Sequence, residues 1–234
     1  MTTTAPEHLD TLPRRVAPST SRAWAIVGAA AGVAGVVGIQ ASLQIDAVYN
    51  EKYAGNAELI LERLDDYVPQ LLVLHVAMTG AAIMLLVFAA GLRRRLQAQA
   101  PAGSLLPDVA AGGLLLTAVA AFLGAGFTTE IVFALTDDTV PIDPEFAAVV
   151  GHWTGTIPWL WVGAGLTGVA VAIGALRHAA APRWLGWVGA ALGGVTLLLG
   201  LSPLQYMAGF TGPILVLALG LGFAFGDRRQ RAGS

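Results

Sequence analysis

The sequence predicts an all-α, polytopic membrane protein, with six transmembrane helices in one bundle and both termini cytoplasmic. Of its 234 residues, 56% are hydrophobic and only 12% are charged, whereas a soluble domain carries about 25% charged residues. The mean hydropathy is +0.68. A helix needs roughly 20 mostly apolar residues to cross the hydrocarbon core of a bilayer. Six segments meet this requirement: 24–45, 68–92, 106–130, 147–176, 183–201 and 207–226.

The first span is interpreted as a retained helix rather than a cleaved signal peptide. Arg14, Arg15 and Arg22 precede it, as basic residues precede the apolar region of a signal peptide. However, the apolar run from Ala23 to Ile39 is longer than such a region, and it carries glycines at helix-packing spacing. Five further spans follow it.

The distribution of charge predicts the orientation, because cytoplasmic loops are enriched in Lys and Arg. With the N-terminus inside, only Lys52 and Arg63 face outward. Acidic residues concentrate in or beside the outer loops, and the alternation holds at every loop. The cytoplasmic segments contain 11 of the 13 basic residues: Arg14, Arg15, Arg22, Arg93, Arg94, Arg95, Arg177, Arg183, Arg228, Arg229 and Arg231.

The segments outside the spans divide the chain into a transmembrane domain, residues 22–229, and two cytoplasmic tails, residues 1–21 and 230–234. The N-terminal tail is rich in Thr, Pro and Ser, which is typical of a flexible terminus. In the outer loop 46–66, residues 56–66 place leucines and an isoleucine among acids. This pattern predicts a short helix lying on the outer surface.

Pairs of glycines four residues apart predict close packing between the helices. Helix association in lipid depends on van der Waals packing, and small residues let two backbones approach closely. Such pairs are Gly28/Gly32, Gly151/Gly155 and Gly189/Gly193. We expect them to line the bundle; the alternative is a face for a homodimer or for a partner membrane subunit.

The polar residues of the spans gather toward their outer ends, while the inner halves consist almost entirely of Gly, Ala, Val and Leu. Polar groups within a membrane are costly unless they face the bundle interior, pair or meet water. The sequence therefore predicts an outward-facing polar pocket, closed below by apolar residues, for a small or lipidic ligand or a partner protein. The candidate ligand-binding residues are Gln40, Gln44, Gln70, His75, Glu130, His152, Thr156 and Trp159.

Two other functions remain open. His75 and His152 lie at similar depth and are candidate ligands for haem iron, copper or zinc, with Glu130 orienting a ring or completing the site. Glu130 is alternatively a general acid in an intramembrane enzyme, together with the aromatic faces of Trp153, Trp159 and Trp161. The structural interpretation is that each histidine hydrogen-bonds a carbonyl or hydroxyl on a neighbouring helix. The second open function is that of an accessory subunit of a membrane complex.

Composition excludes several classes of site and identifies no cofactor. The chain has no cysteine, which excludes disulfides and cysteine-ligated metal or iron–sulfur centres. The basic residues do not form the concentrated patch typical of nucleic-acid binding, so membrane lipids are the expected partners.

Two motifs carry a resemblance to known proteins. The second span ends in GLRRRL (91–96), and APRWLGWVG (181–189) forms a turn that leads into the fifth helix. In these motifs and in its overall plan, most of residues 22–229 resembles uncharacterised bacterial six-helix integral membrane proteins. The resemblance implies the architecture and carries no activity.

Overall fold

The computed structural model describes residues 22–137, 139 and 141–226, and this part of the chain consists of helices joined by turns and loops, with no strand. The predicted tails 1–21 and 230–234 lie outside the described residues. The helices are α1 (Ala23–Leu43), α2 (Ala57–Asp65), α3 (Val68–Gln97), α4 (Leu106–Thr136), α5 (Pro144–Thr154), α6 (Val162–His178), α7 (Arg183–Val188), α8 (Gly194–Leu201) and α9 (Ala208–Phe225).

Within the described residues, six helical segments are long and apolar enough to cross a membrane, which confirms the predicted number of spans. They are α1, α3, α4, the segment Pro144–His178 that contains α5 and α6, the segment Arg183–Leu201 that contains α7 and α8, and the segment Gln205–Phe225 that contains α9. Each span packs against the next along the chain, and α9 returns to pack against α1. The six spans therefore form a closed ring in which consecutive spans are neighbours.

The first and last helices of the described chain bring its two ends to the same end of the bundle. Arg22 precedes α1, and its guanidinium donates to the carbonyl of Ala224 near the end of α9, at 3.1 Å. The same end holds Arg93, whose Nε lies 2.6 Å from Oδ1 of Asp108 at the start of α4. We call it the basic end. The opposite end, formed by residues 44–67, 137, 139, 141–143 and 202–207, is the acidic end.

Glycines allow the helices to approach each other closely. A Cβ on Gly193 would lie 2.8 Å from Cα of Gly168 in α6, and one on Gly32 would lie 2.5 Å from the backbone nitrogen of Leu217 in α9. A Cβ on Gly28 would meet the Phe88 ring of α3. The glycines therefore line the interior of the bundle, as predicted, and neighbours from the same chain cover them.

The fourth span differs from its prediction because it is not one continuous helix. The helix α5 ends at Thr154, a 3₁₀ turn covers Ile157–Trp159, and α6 begins at Val162. Pro158 explains the interruption, since proline lacks an amide hydrogen and disfavours helical geometry at the residue before it. We call residues 155–161 the break. The fifth span is also irregular, with a π-helical segment, Gly189–Gly193, between α7 and α8.

A short helix lies at the acidic end, as the sequence predicts. The Asn56 side chain accepts a hydrogen bond from the Leu59 amide at 3.1 Å and so caps the start of α2. Ile60 and Leu64 are buried on one face, and α2 packs against α5. Together α2 and α5 cover part of the acidic end of the bundle.

Candidate functional site

A cavity of about 520 Å³ opens at the acidic end, where α1, the break and the start of α9 meet. Its volume is in the range of small-molecule sites, which are usually concave and largely apolar with a few polar groups. The lining residues are Ser42, Leu43, Ile45, Asp46, Tyr49, Gly155, Thr156, Trp159, Tyr206, Met207 and Phe210.

Hydrogen bonds to Ser42 hold the break against the end of α1. The buried indole of Trp159 donates from Nε1 to the Ser42 hydroxyl at 3.0 Å. That hydroxyl donates in turn to the carbonyl of Thr154 at 2.8 Å. Three backbone segments are thus joined through one buried side chain, and the position of Trp159 in the cavity wall is fixed.

Two glycines give the aromatic side chains of the wall their space. A Cβ on Gly155 would collide with the ring and hydroxyl of Tyr49, and a Cβ on Gly209 would lie 2.7 Å from Cε3 of Trp159. The Phe210 ring packs edge-on against Trp159, with 4.7 Å between the ring centroids. The aromatic side chains of the cavity wall are therefore packed closely against the neighbouring backbone.

Asp46 places a carboxylate in the cavity wall. Its Oδ1 accepts a short hydrogen bond from the Tyr67 hydroxyl, and its Oδ2 accepts one from the Asn50 amide at 3.0 Å. These two hydrogen bonds, the first the stronger influence, lower the pKa of Asp46 below its usual 3.8 because they favour the ionised form. The cavity therefore contains a negative charge at neutral pH.

Arg63 connects this carboxylate to α2. Its guanidinium donates to the Tyr67 hydroxyl at 2.6 Å and to Asp66 at 2.7 Å, and its Nε lies 3.7 Å from Asp46. The guanidinium also lies over the Tyr67 ring, 4.6 Å from the centroid. Burial and, to a lesser extent, the hydrogen bond to Asp46 raise the pKa of Tyr67. Tyr67 thus stays protonated and remains a donor to the carboxylate.

His75 makes a cross-helix contact with α4 rather than with the cavity. The hydroxyls of Thr128 and Thr129 donate to the Ala125 carbonyl at 2.9 and 3.1 Å. Since each hydroxyl has only one proton, the Thr128 oxygen accepts from Nδ1 of His75 at 3.0 Å. This arrangement selects the tautomer with hydrogen on Nδ1. It matches the structural interpretation of this histidine.

His152 has a different neighbour. The residue is exposed, and its ring meets that of Tyr49 edge-on, with 5.8 Å between centroids. Among the described contacts, none joins the rings of His75 and His152. In the described part of the chain, no group of three or more His, Cys, Asp or Glu residues is placed to hold a metal ion. The metal or haem site with Glu130 therefore stays a prediction.

The remaining predicted residues are divided among several places. Thr156 and Trp159 line the cavity, and the exposed Gln44 amide donates to the Gln40 carbonyl at 3.3 Å. The side-chain amide oxygen of Gln70, Oε1, is buried without a described hydrogen-bond partner. Glu130 lines a separate hollow of about 440 Å³ between the end of α4 and the start of α5.

The most informative residues of the cavity were missing from the predicted set. Asp46 and Tyr49 lie in the turns that follow α1, and Tyr206 lies in a 3₁₀ turn, Gln205–Met207, before α9. Their charge and polarity were evident from the sequence, but their proximity was not. Ser42 and Phe210 lie at helix ends. One signal in the sequence could have identified these cavity residues, because each lies within a few positions of the end of a predicted span.

The chain matches no protein family model, and no curated protein or solved structure is significantly similar to it.

Proposed function

We propose that this chain is a multi-pass membrane protein that binds a small or lipidic ligand in the cavity at the acidic end, with that end facing out of the cytoplasm. The observation that carries the proposal is the opening of an interrupted membrane helix onto a cavity with aromatic walls and one carboxylate. Non-helical backbone at membrane depth is tolerated where it is buried in protein or lines a cavity. Discontinuous helices recur at the binding sites of membrane transporters.

Ligand binding fits the geometry better than a redox or enzymatic site built on the histidines. His75 bonds to α4, His152 packs against Tyr49, and Glu130 lines another hollow. A shared metal or a proton-transfer site needs these groups within hydrogen-bond or coordination distance of one reacting atom. The cavity, in contrast, brings its polar and aromatic groups together in one concave surface.

Native mass spectrometry of the full chain, extracted from its membrane in a mild nonionic detergent, tests the proposal. The blocking variant is Thr156→Trp, which places an indole at the cavity wall. The Thr156 hydroxyl donates to the His152 carbonyl one turn back, at 2.8 Å. The matched control is Thr136→Trp, because Thr136 is also exposed and donates to the Val132 carbonyl at 2.7 Å.

We expect a bound small molecule or lipid on the wild-type protein and on Thr136→Trp, and its loss from Thr156→Trp. The proposal is wrong if the wild-type protein carries no bound molecule, or if both variants retain it equally.

A further inference from the structure

The wall of the cavity combines aromatic rings with a single ionised group. Among the eleven described residues that line it, four are aromatic and only Asp46 is charged. The faces of aromatic rings carry negative partial charge and attract cations. The four aromatic residues are Tyr49, Trp159, Tyr206 and Phe210.

The charge of Asp46 is only partly balanced by its neighbours. Arg63 lies 3.7 Å from Asp46 but is closer to Asp66, at 2.7 Å, so one guanidinium serves two carboxylates. Each carboxylate oxygen can accept two hydrogen bonds, and Oδ2 of Asp46 has one described donor, Asn50. The carboxylate therefore retains both charge and acceptor capacity.

The surroundings of the cavity add to this negative potential. Residues 46–66 contain six acidic and two basic residues, and hence a net charge of −4. The charge of such a segment raises the local concentration of cations and disfavours anions. The negative potential and the aromatic rings of the wall therefore both favour positively charged ligands.

From these contacts we infer that the cavity binds an organic ammonium ion attached to an apolar body, with Asp46 as its counter-ion. This inference rests on the proposed function and specifies the chemistry of the ligand. The aromatic wall receives the ammonium group, and Asp46 lies beside it. The source of the ammonium group is a free lipophilic amine or a lipid headgroup, since the two share this chemistry.

The apolar body has its own place beside the ammonium site. Leu43, Ile45 and Met207 complete the lining, and Leu43 and Phe210 are 49% and 42% exposed. These residues lie where α1 ends and α9 begins, so the cavity adjoins the apolar surface of the bundle. A ligand can therefore keep its charge beside Asp46 while its hydrocarbon part contacts the apolar side.

Binding measurements on the full chain in a nonionic detergent test the inference with matched probes. Benzyltrimethylammonium is compared with neopentylbenzene, which has the same shape with carbon in place of the charged nitrogen. A short-chain phosphatidylcholine, dihexanoylphosphatidylcholine, represents the lipid headgroup. Isothermal titration calorimetry gives the Kd of each probe.

We expect at least one of the two ammonium probes to bind. If benzyltrimethylammonium binds, its Kd should be at least about fivefold lower than that of neopentylbenzene. Preference for benzyltrimethylammonium identifies a free amine, and preference for the phosphatidylcholine identifies a lipid headgroup. The variant Asp46→Asn keeps an acceptor for Tyr67, and we expect it to weaken binding of the ammonium probe by about fivefold to thirtyfold without affecting neopentylbenzene. Phe210→Leu keeps apolar bulk but removes a ring, and we expect about a threefold loss.

Two controls separate local contacts from general effects. Asp65→Asn removes a charge from the same acidic segment at an exposed residue outside the cavity lining, and Phe225→Leu removes an exposed ring at the basic end. Both are expected to change the Kd of the ammonium probe less than twofold, within about 0.4 kcal/mol.

The outcomes distinguish the two levels of the proposal. If neopentylbenzene binds as tightly as the ammonium probes, and Thr156→Trp blocks it, the cavity binds ligands but the inference of an ammonium ligand is wrong. If no probe binds and the purified wild-type protein carries no bound molecule, both the inference and the proposed function fail. Equal losses in Asp46→Asn and Asp65→Asn also contradict a specific role for Asp46.

Discussion

Removing the Ser42 hydroxyl is expected to destabilise the protein by separating the break from α1. Ser42 is 3% exposed, accepts from the Trp159 indole at 3.0 Å and donates to the Thr154 carbonyl at 2.8 Å. Ser42→Ala leaves a donor and an acceptor without their partner. The structure therefore predicts a loss larger than that of one exposed hydrogen bond.

The magnitude follows from the two groups left unpaired. A buried polar group without a partner costs about 1–3 kcal/mol. Measured cross-helix hydrogen bonds in a membrane protein average about 0.6 kcal/mol and reach about 1.7 kcal/mol, because the unfolded chain in the membrane also finds partners. We therefore expect Ser42→Ala to lower the free energy of unfolding by about 1–2 kcal/mol.

The assay is unfolding of the purified protein by sodium dodecyl sulfate in mixed micelles, followed by tryptophan fluorescence. The matched control is Ser202→Ala. Ser202 also makes one donated and one accepted bond, to the Leu199 carbonyl at 2.8 Å and from the Leu204 amide at 3.1 Å. Because these bonds are local and partly exposed, water replaces them, and we expect a loss of about 0.5 kcal/mol or less.

A double-mutant cycle with Trp159→Phe isolates the bond between the two side chains. We expect a coupling free energy of about 0.5–1.5 kcal/mol between Ser42 and Trp159. A coupling indistinguishable from zero, or equal losses in Ser42→Ala and Ser202→Ala, would refute the assigned role of Ser42.

Three further predictions concern packing, pH and orientation. Gly193→Ala places a Cβ 2.8 Å from Cα of Gly168, whereas Gly194→Ala meets nothing within 4 Å; in the same unfolding assay we expect the first to cost about 1–3 kcal/mol and the second to be neutral or stabilising. The lowered pKa of Asp46 means that the contribution of its carboxylate to stability is present above pH 3.8 and is lost as pH falls through its folded pKa. The unfolding midpoint of Asp46→Asn should therefore approach that of the wild-type protein on acidification. A difference between the two midpoints that stays constant with pH would contradict this prediction. A reporter fused after Arg95 should be active in the cytoplasm, and activity outside the cell would overturn the proposed orientation.

The sequence was sufficient to predict the architecture, because the signals are local. Each span is an apolar stretch of sufficient length, and the requirement that backbone groups be paired within lipid makes such stretches helical. The helix capped by Asn56 and the packing of Gly28 and Gly193 inside the bundle follow from motifs that the sequence displays directly. Pro158 lies within the fourth apolar stretch of the sequence, but the extent of the break was not predicted.

The site depended on information that periodicity does not contain. His75 and His152 were grouped by depth along their helices, but depth does not specify which face of a helix meets which neighbour. In the structure, the two histidines have different neighbours. His75 contacts Thr128, and His152 contacts Tyr49.

The sequence by itself determined the number of spans, their apolar character and the separation of acidic from basic ends. Only the tertiary structure decided that Asp46, Trp159 and Phe210 share one cavity. The physical reason is that helix formation in lipid is governed by neighbouring residues along the chain. The cavity instead forms where the end of α1, the break and the start of α9 meet, and their relative positions depend on close packing between segments more than a hundred residues apart.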